Sequence, residues 1–259
     1  MTLKHAQEYR DAATVRRLAG EIAAKSRRPV RLMEVCGTHT MAIFRHGIRS
    51  LLPPQVTLLS GPGCPVCVTA QGEIDAFVAL ARRPDTIVTT FGDLMRVPGS
   101  GSSLQQERSR GRDIRVVYSP LDALTIAREN PDCKVVFLGV GFETTAPTIA
   151  AAIFSAKQAG ITNFLVYAAH KTVPPALNAL MATGDAQLDG FLLPGHVSVI
   201  IGLDAYRPFL QAQQVPCVVG GFEPVDIMLA VRMLIEQIEK PDVPVDLRTH
   251  SDSIFAGAL

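Results

Sequence analysis

Short, continuous apolar runs punctuate this chain, and the stretches between them carry apolar residues at helical spacing. The runs lie near residues 30–35, 56–59, 86–90, 114–118, 134–139, 163–168, 190–193 and 216–219. Each reads as a strand covered on both faces. Ile74, Phe77, Val78 and Ala81 fall at i, i+3, i+4 and i+7, and Met228, Val231, Ile235 and Ile238 form a similar stripe late in the chain. Such stripes predict amphipathic helices. Strands alternating with helices predict an α/β fold of parallel sheets, doubly wound and Rossmann-like.

The eight runs divide into two units of four. Asn130-Pro131-Asp132 interrupts the pattern near mid-chain. The first strand of each half precedes a similar loop, Gly37-Thr38-His39-Thr40 in one and Gly141-Phe142-Glu143-Thr144 in the other. That weak repeat puts His39 and Glu143 at equivalent strand ends. The expected domains are 1–128 and 129–245, with a tail over 246–259, and the two carboxyl edges are expected to face a central cleft. Gly92–Gly111, with Pro98-Gly99-Ser100-Gly101-Ser102-Ser103 inside it, reads as a long irregular loop of the lid or binding-loop kind.

Composition narrows the function classes. With 47% hydrophobic and 19% charged residues the chain is globular rather than disordered. A net charge of +1 offers no electrostatic footprint for nucleic acid. No run approaches the roughly 18 apolar residues of a membrane span, and the first ten residues lack the apolar core of a signal peptide. A cytoplasmic location is expected, and there five cysteines point to metal or redox chemistry rather than a disulfide framework.

Four of the candidate ligands sit in two loops that directly follow apolar runs. Cys36-Gly37-Thr38-His39 offers a thiolate and an imidazole three residues apart, a pair suited to iron or zinc. Cys64-Pro65-Val66-Cys67 has the spacing that lets both sulfurs reach one metal or close a small disulfide ring. Thr69 then offers an N-cap for the following helix, whose positive end would favour thiolate. Together the loops supply a Cys₃His set, enough for a zinc site and a zinc-dependent hydrolase with Glu143 as general base. Gly139-Val140-Gly141-Phe142-Glu143-Thr144-Thr145-Ala146-Pro147 resembles half a dinucleotide fingerprint, but Thr144 replaces the third glycine and no P-loop lysine follows. Glu143 reads equally as a proton carrier, a substrate anchor or a plain helix-start carboxylate. His196, in Pro194-Gly195-His196-Val197, is another strand-end histidine, with a turn or capping role as its alternative. Cys133 and Cys217 lack polar framing and read as structural. The remaining histidines, His5, His46, His170 and His250, show no converging pattern.

As a set these motifs are recognisable. Glu34-Val35-Cys36-Gly37-Thr38-His39-Thr40, Gly61-Pro62-Gly63-Cys64-Pro65-Val66-Cys67-Val68-Thr69, Phe91-Gly92-Asp93 with Arg96-Val97-Pro98-Gly99, Gly141-Phe142-Glu143-Thr144-Thr145-Ala146-Pro147 and Pro194-Gly195-His196-Val197 strongly resemble the HypD family of [NiFe]-hydrogenase maturation proteins. The resemblance runs from about residue 10 to about residue 245. It implies a scaffold on which the Fe(CN)₂CO group is assembled together with a HypC-type chaperone. HypE would deliver cyanide transiently, from a thiocarbamate made with HypF, and the hydrogenase large subunit would be the eventual recipient. It further implies Cys36 as iron ligand with His39 close by, and Cys64 and Cys67 as a redox-active pair. Glu143, Thr144 and Thr145 would line the same cleft, with Thr38, Asp93 and His196 as further candidates. Family members continue into a third region whose four cysteines hold a [4Fe–4S] cluster. Only Cys133 and Cys217 remain here once the others are assigned, so that cluster is expected to be absent from this chain. The expectation is a truncated form, one with an outside electron source, or a non-catalytic remnant that binds HypC.

Overall fold

The computed structural model describes residues 8–182, 187–240 and 245–249. The chain forms two compact units. The larger comprises Met1–Cys64 with Val173–Leu259, and the smaller Pro65–Thr172.

In the larger unit, α1 (Ala12–Lys25), β1 (Val30–Glu34), α2 (Gly37–Arg45) and β2 (Val56–Ser60) come from the first segment. In the smaller unit follow α3 (Gln71–Ala81), β3 (Thr86–Thr90), α4 (Leu104–Ser109), β4 (Ile114–Val116), α5 (Pro120–Glu129), β5 (Lys134–Gly139), α6 (Ala146–Gln158) and β6 (Phe164–Ala168). The chain then returns to the larger unit with α7 (Val173–Ala182), β7 (Gly190–Pro194), α8 (Gly195–Ile201), α9 (Arg207–Gln213), β8 (Cys217–Gly220), α10 (Pro224–Ile238) and β9 (Leu247–Thr249). The sheets run β2-β1-β7-β8-β9 and β4-β3-β5-β6, and each strand pairing in both is parallel. The α/β, doubly wound expectation holds.

Alternation along buried strands explains the layers. On β5, Val136 and Leu138 join Ile74, Phe77 and Ala81 of α3. Val135 and Phe137 turn the other way, to Ala123 and Ala127 of α5 and Ile149 and Ala152 of α6. In the larger unit Leu32, Leu192 and Val218 share a core with Leu18 and Ile22 of α1 and Val231, Leu234 and Ile235 of α10. On β7, Phe191 instead meets Phe209 of α9 edge to face, at 5.6 Å between centroids.

Three expectations need correction. The domain boundary at 128/129 falls inside the smaller unit, because β5 pairs with both β3 and β6 and Asn130–Asp132 merely turns α5 into β5. The chain passes from one unit to the other at 64/65 and 172/173 instead, since β7 pairs with β1, Leu32 facing Gly190. Part of the expected tail is a fifth strand, Cys217 facing Leu247. Pro241, Pro244 and the segment 250–259 lie outside the described residues. Gly92–Gly111 is not irregular throughout: it holds a 3₁₀ turn at Gly92–Arg96 and α4. Ser103 caps α4 by accepting the Gln106 N–H, and the Gln106 side chain accepts the Ser103 N–H in return.

Candidate functional site

Ligands in open α/β sheets bind beyond the carboxyl ends of the strands, and each unit places candidate residues there. In the larger unit β1 ends at Glu34, and Cys36 is the N-cap residue of α2. The thiol is buried and accepts N–H donors from Thr38 and His39 and the Thr38 hydroxyl. Burial pushes its pKa up, those donors oppose the shift, and the Glu34 charge adds to it. Thr38 itself is exposed.

His39 sits one turn into α2 and is fully buried. Its Nε2 lies 2.9 Å from the carbonyl of Gly221. A carbonyl only accepts, so Nε2 carries the proton and Nδ1 is the ring's lone-pair nitrogen in the neutral form. Phe222 packs against this ring at 4.6 Å, and its ring also lies 4.8 Å from that of His196. His196 is half-buried in α8, and burial lowers its pKa. Ser198 anchors α8 by donating to Pro194 O at 2.8 Å.

Beneath Cys36, the buried carboxyl of Glu34 accepts the Cys36 N–H at 3.0 Å and the Thr40 hydroxyl at 2.6 Å. Burial raises its pKa. The loop after β2 lies directly against this turn. Gly61 N–H donates to Glu34 O, and Gly37 N–H to Gly63 O. A Cβ on Gly63 would collide with the Cys36 backbone. The close approach therefore requires glycine there, and it delivers Cys64 next to the Cys36 turn.

Cys64 closes the larger unit's first segment and is half-buried, while Cys67 lies near the start of the smaller unit and is exposed. The two are thiols, not joined in a disulfide. Thr69 does not cap α3: its hydroxyl donates to Pro65 O at 2.9 Å and closes the turn around Cys67. The cap residue is Ala70, whose N–H is taken by the Glu73 carboxylate at 3.0 Å.

The smaller unit's own carboxyl edge carries Gly141 to Thr145. Phe142 and Glu143 are buried, Thr144 and Thr145 half-buried, and Thr145 is the N-cap residue of α6. A Cβ on Gly141 would meet the Thr145 side chain, so this loop too closes only on glycine. Asp93 is exposed, its carboxylate accepting the Leu94 N–H at 2.9 Å.

Among the described residues no three His, Cys, Asp or Glu side chains come together as a metal-ligand set. Sequence reasoning gave no role to Glu34, Gly221 or Phe222. A signal for Phe222 existed: Gly-Phe-Glu occurs twice, at Gly141–Glu143 after β5 and at Gly221–Glu223 after β8.

The profile of the family described as "HypD: Hydrogenase formation hypA family" matches residues 13–251. The chain belongs to the HypD family. It is 48% identical over 252 residues to the hydrogenase maturation factor HypD of Azotobacter vinelandii, covering 94% of this chain and 66% of that protein. The corresponding factor of Rhodobacter capsulatus is 47% identical over 92% of this chain and 65% of the relative. That of Escherichia coli (strain K12) is 47% identical over 91% and 65%. This HypD-family chain thus spans just under two thirds of the length of these relatives.

The two remaining cysteines of this HypD-family chain fall one in each unit. Cys217 lies within β8, its thiol pushed up to about 12 by burial, and Cys133 packs against the core of the smaller unit. Among the described residues no helix is long and apolar enough to cross a membrane.

Proposed function

We propose that this chain is a HypD-type hydrogenase maturation scaffold with thiol redox capacity, acting in the cytoplasm. Iron is its cargo. Cys36 binds the iron as thiolate, His39 stands beside it, and cyanide and CO ligands are attached there. A HypC-type partner completes the coordination, a HypE-type partner delivers cyanide, and the hydrogenase large subunit receives the group. The observation that carries this reading is the Cys36 turn. A buried thiol and a buried imidazole of defined tautomer share one helix start, and the helix amides compensate the thiolate.

Cys64 and Cys67 form the redox couple of this reading. Their oxidation to a disulfide releases two electrons and two protons, the equivalents consumed when cyanide is cleaved from a sulfur carrier. Glu143, Thr144 and Thr145 supply polar groups at the smaller unit's edge, with Thr38, Asp93 and His196 as supporting candidates.

Co-expression with HypC-type and HypE-type partners, anaerobic purification and infrared spectroscopy test the proposal. CO and cyanide stretching bands are expected in the wild type and lost in Cys36→Ala. Iron and bands both absent from the wild type, with every partner supplied, would overturn it. Bands undiminished in Cys64→Ser would remove the dithiol from this role and overturn the redox part of the reading.

A further inference from the structure

Lys171, just past the end of β6, ties together two segments of the smaller unit that the proposed function uses. Its backbone N–H donates to the Gly141 carbonyl at 3.0 Å, in the loop that carries Glu143. Its ammonium bonds both oxygens of Glu73, at 3.0 and 2.8 Å. Glu73 in turn holds the Ala70 N–H at 3.0 Å, at the start of α3 and directly after the Cys67 turn. The two side chains are only 30% and 24% exposed, so solvent screens this pair less than a surface one. The Lys171 ammonium lowers the pKa of Glu73 against the effect of burial, which keeps the carboxylate charged for both bonds.

We propose that Lys171 is a positioning residue for the dithiol: through Glu73 it anchors the Cys67 turn to the Gly141–Thr145 loop. This rests on the redox reading of Cys64 and Cys67. An anchored turn lowers the entropy cost of closing the disulfide ring. Releasing it makes the disulfide easier to reduce. In a glutathione buffer the balanced step joins the Cys64 and Cys67 sulfurs. Their two protons and two electrons pass to oxidised glutathione, which becomes two reduced molecules.

The test equilibrates the full chain with reduced and oxidised glutathione under anaerobic conditions and maps the disulfide by mass spectrometry. Charge-assisted hydrogen bonds of this kind suggest about a tenfold effect. Lys171→Met is therefore expected to lower the equilibrium constant for the pair about tenfold, raising its potential by about 30 mV. Lys171→Arg is expected to restore the wild-type value. Glu73→Gln is expected to reproduce the shift, with no addition in the double variant. Equal potentials in wild type and Lys171→Met would overturn the proposal, because a merely structural ion pair leaves the potential unmoved. If the wild type forms no reversible pair, the redox reading fails, and amide exchange over residues 66–73 decides positioning alone. Exchange about tenfold faster in Lys171→Met and restored in Lys171→Arg then supports the anchor, and unchanged exchange overturns it.

Discussion

At Gly63 a missing side chain lets one loop lie on the backbone of Cys36. Gly63→Ala is expected to destabilise the chain by about 1–3 kcal/mol, as other enforced overpacking does. It should also open Cys36 to alkylation, and urea denaturation with timed iodoacetamide labelling checks both. A wild-type midpoint with Cys36 still protected would mean that the loop shifts at no cost. Cys36 and His39 were legible in the sequence because their spacing alone puts thiol and imidazole on one turn. Glu34 was not, since it reads as the polar end of an apolar run until its bonds to the Cys36 N–H and Thr40 hydroxyl are seen. Phe222 was hidden for a different reason. It reaches His39 and His196 from the loop after β8, far along the chain, and the repeated Gly-Phe-Glu marks the residue without encoding that meeting.

Among the elements, α4 depends on a buried carboxylate. Arg82 bonds Glu107 at 2.8 Å, with Ser102 at 2.6 Å and Arg110 at 2.8 Å. These bonds hold its pKa down at about 2 against an ordinary 4.5. A carboxylate depressed in this way stabilises the fold fully above its unfolded pKa, and the contribution fades as pH falls through the folded value. With the arginines partly exposed, it amounts to about 2 kcal/mol at pH 7. Glu107→Gln is expected to lose that amount at pH 7 and progressively less towards pH 3, measured by urea denaturation across that range. A gap that stays constant with pH would remove the carboxylate from this role. Strands β1 to β8 were legible because continuous apolar runs carry their own signal, and β9 was not, because Leu247–Thr249 holds no such run. The short helical pieces inside Gly92–Gly111 were not, because the capping pair Ser103 and Gln106 is too brief to show periodicity.

The whole molecule departs most from its linear pattern. Mid-chain Pro131 marks a turn, not a boundary, and the true divisions fall beside Cys64 and Val173. Strand pairing over long sequence distance leaves no local trace, so the return of β7 to β1 could not be read from periodicity. Residues 65–172, whose sheet has helices on both faces, are expected to unfold cooperatively when expressed alone. Residues 1–128 are not, because β1 then lacks β7, and circular dichroism during urea titration distinguishes the two. The reverse outcome would refute this division. The same topology governs synthesis. When β1 and β2 leave the ribosome, the edge of β1 that will receive β7 has no partner, and exposed strand edges invite wrong pairings. At about 5–20 residues per second the intervening chain takes roughly 8–30 s to emerge. During that interval the smaller unit can be complete while the segment bearing Cys36 still waits for its neighbour, so the nascent cysteine turn becomes native only after that unit.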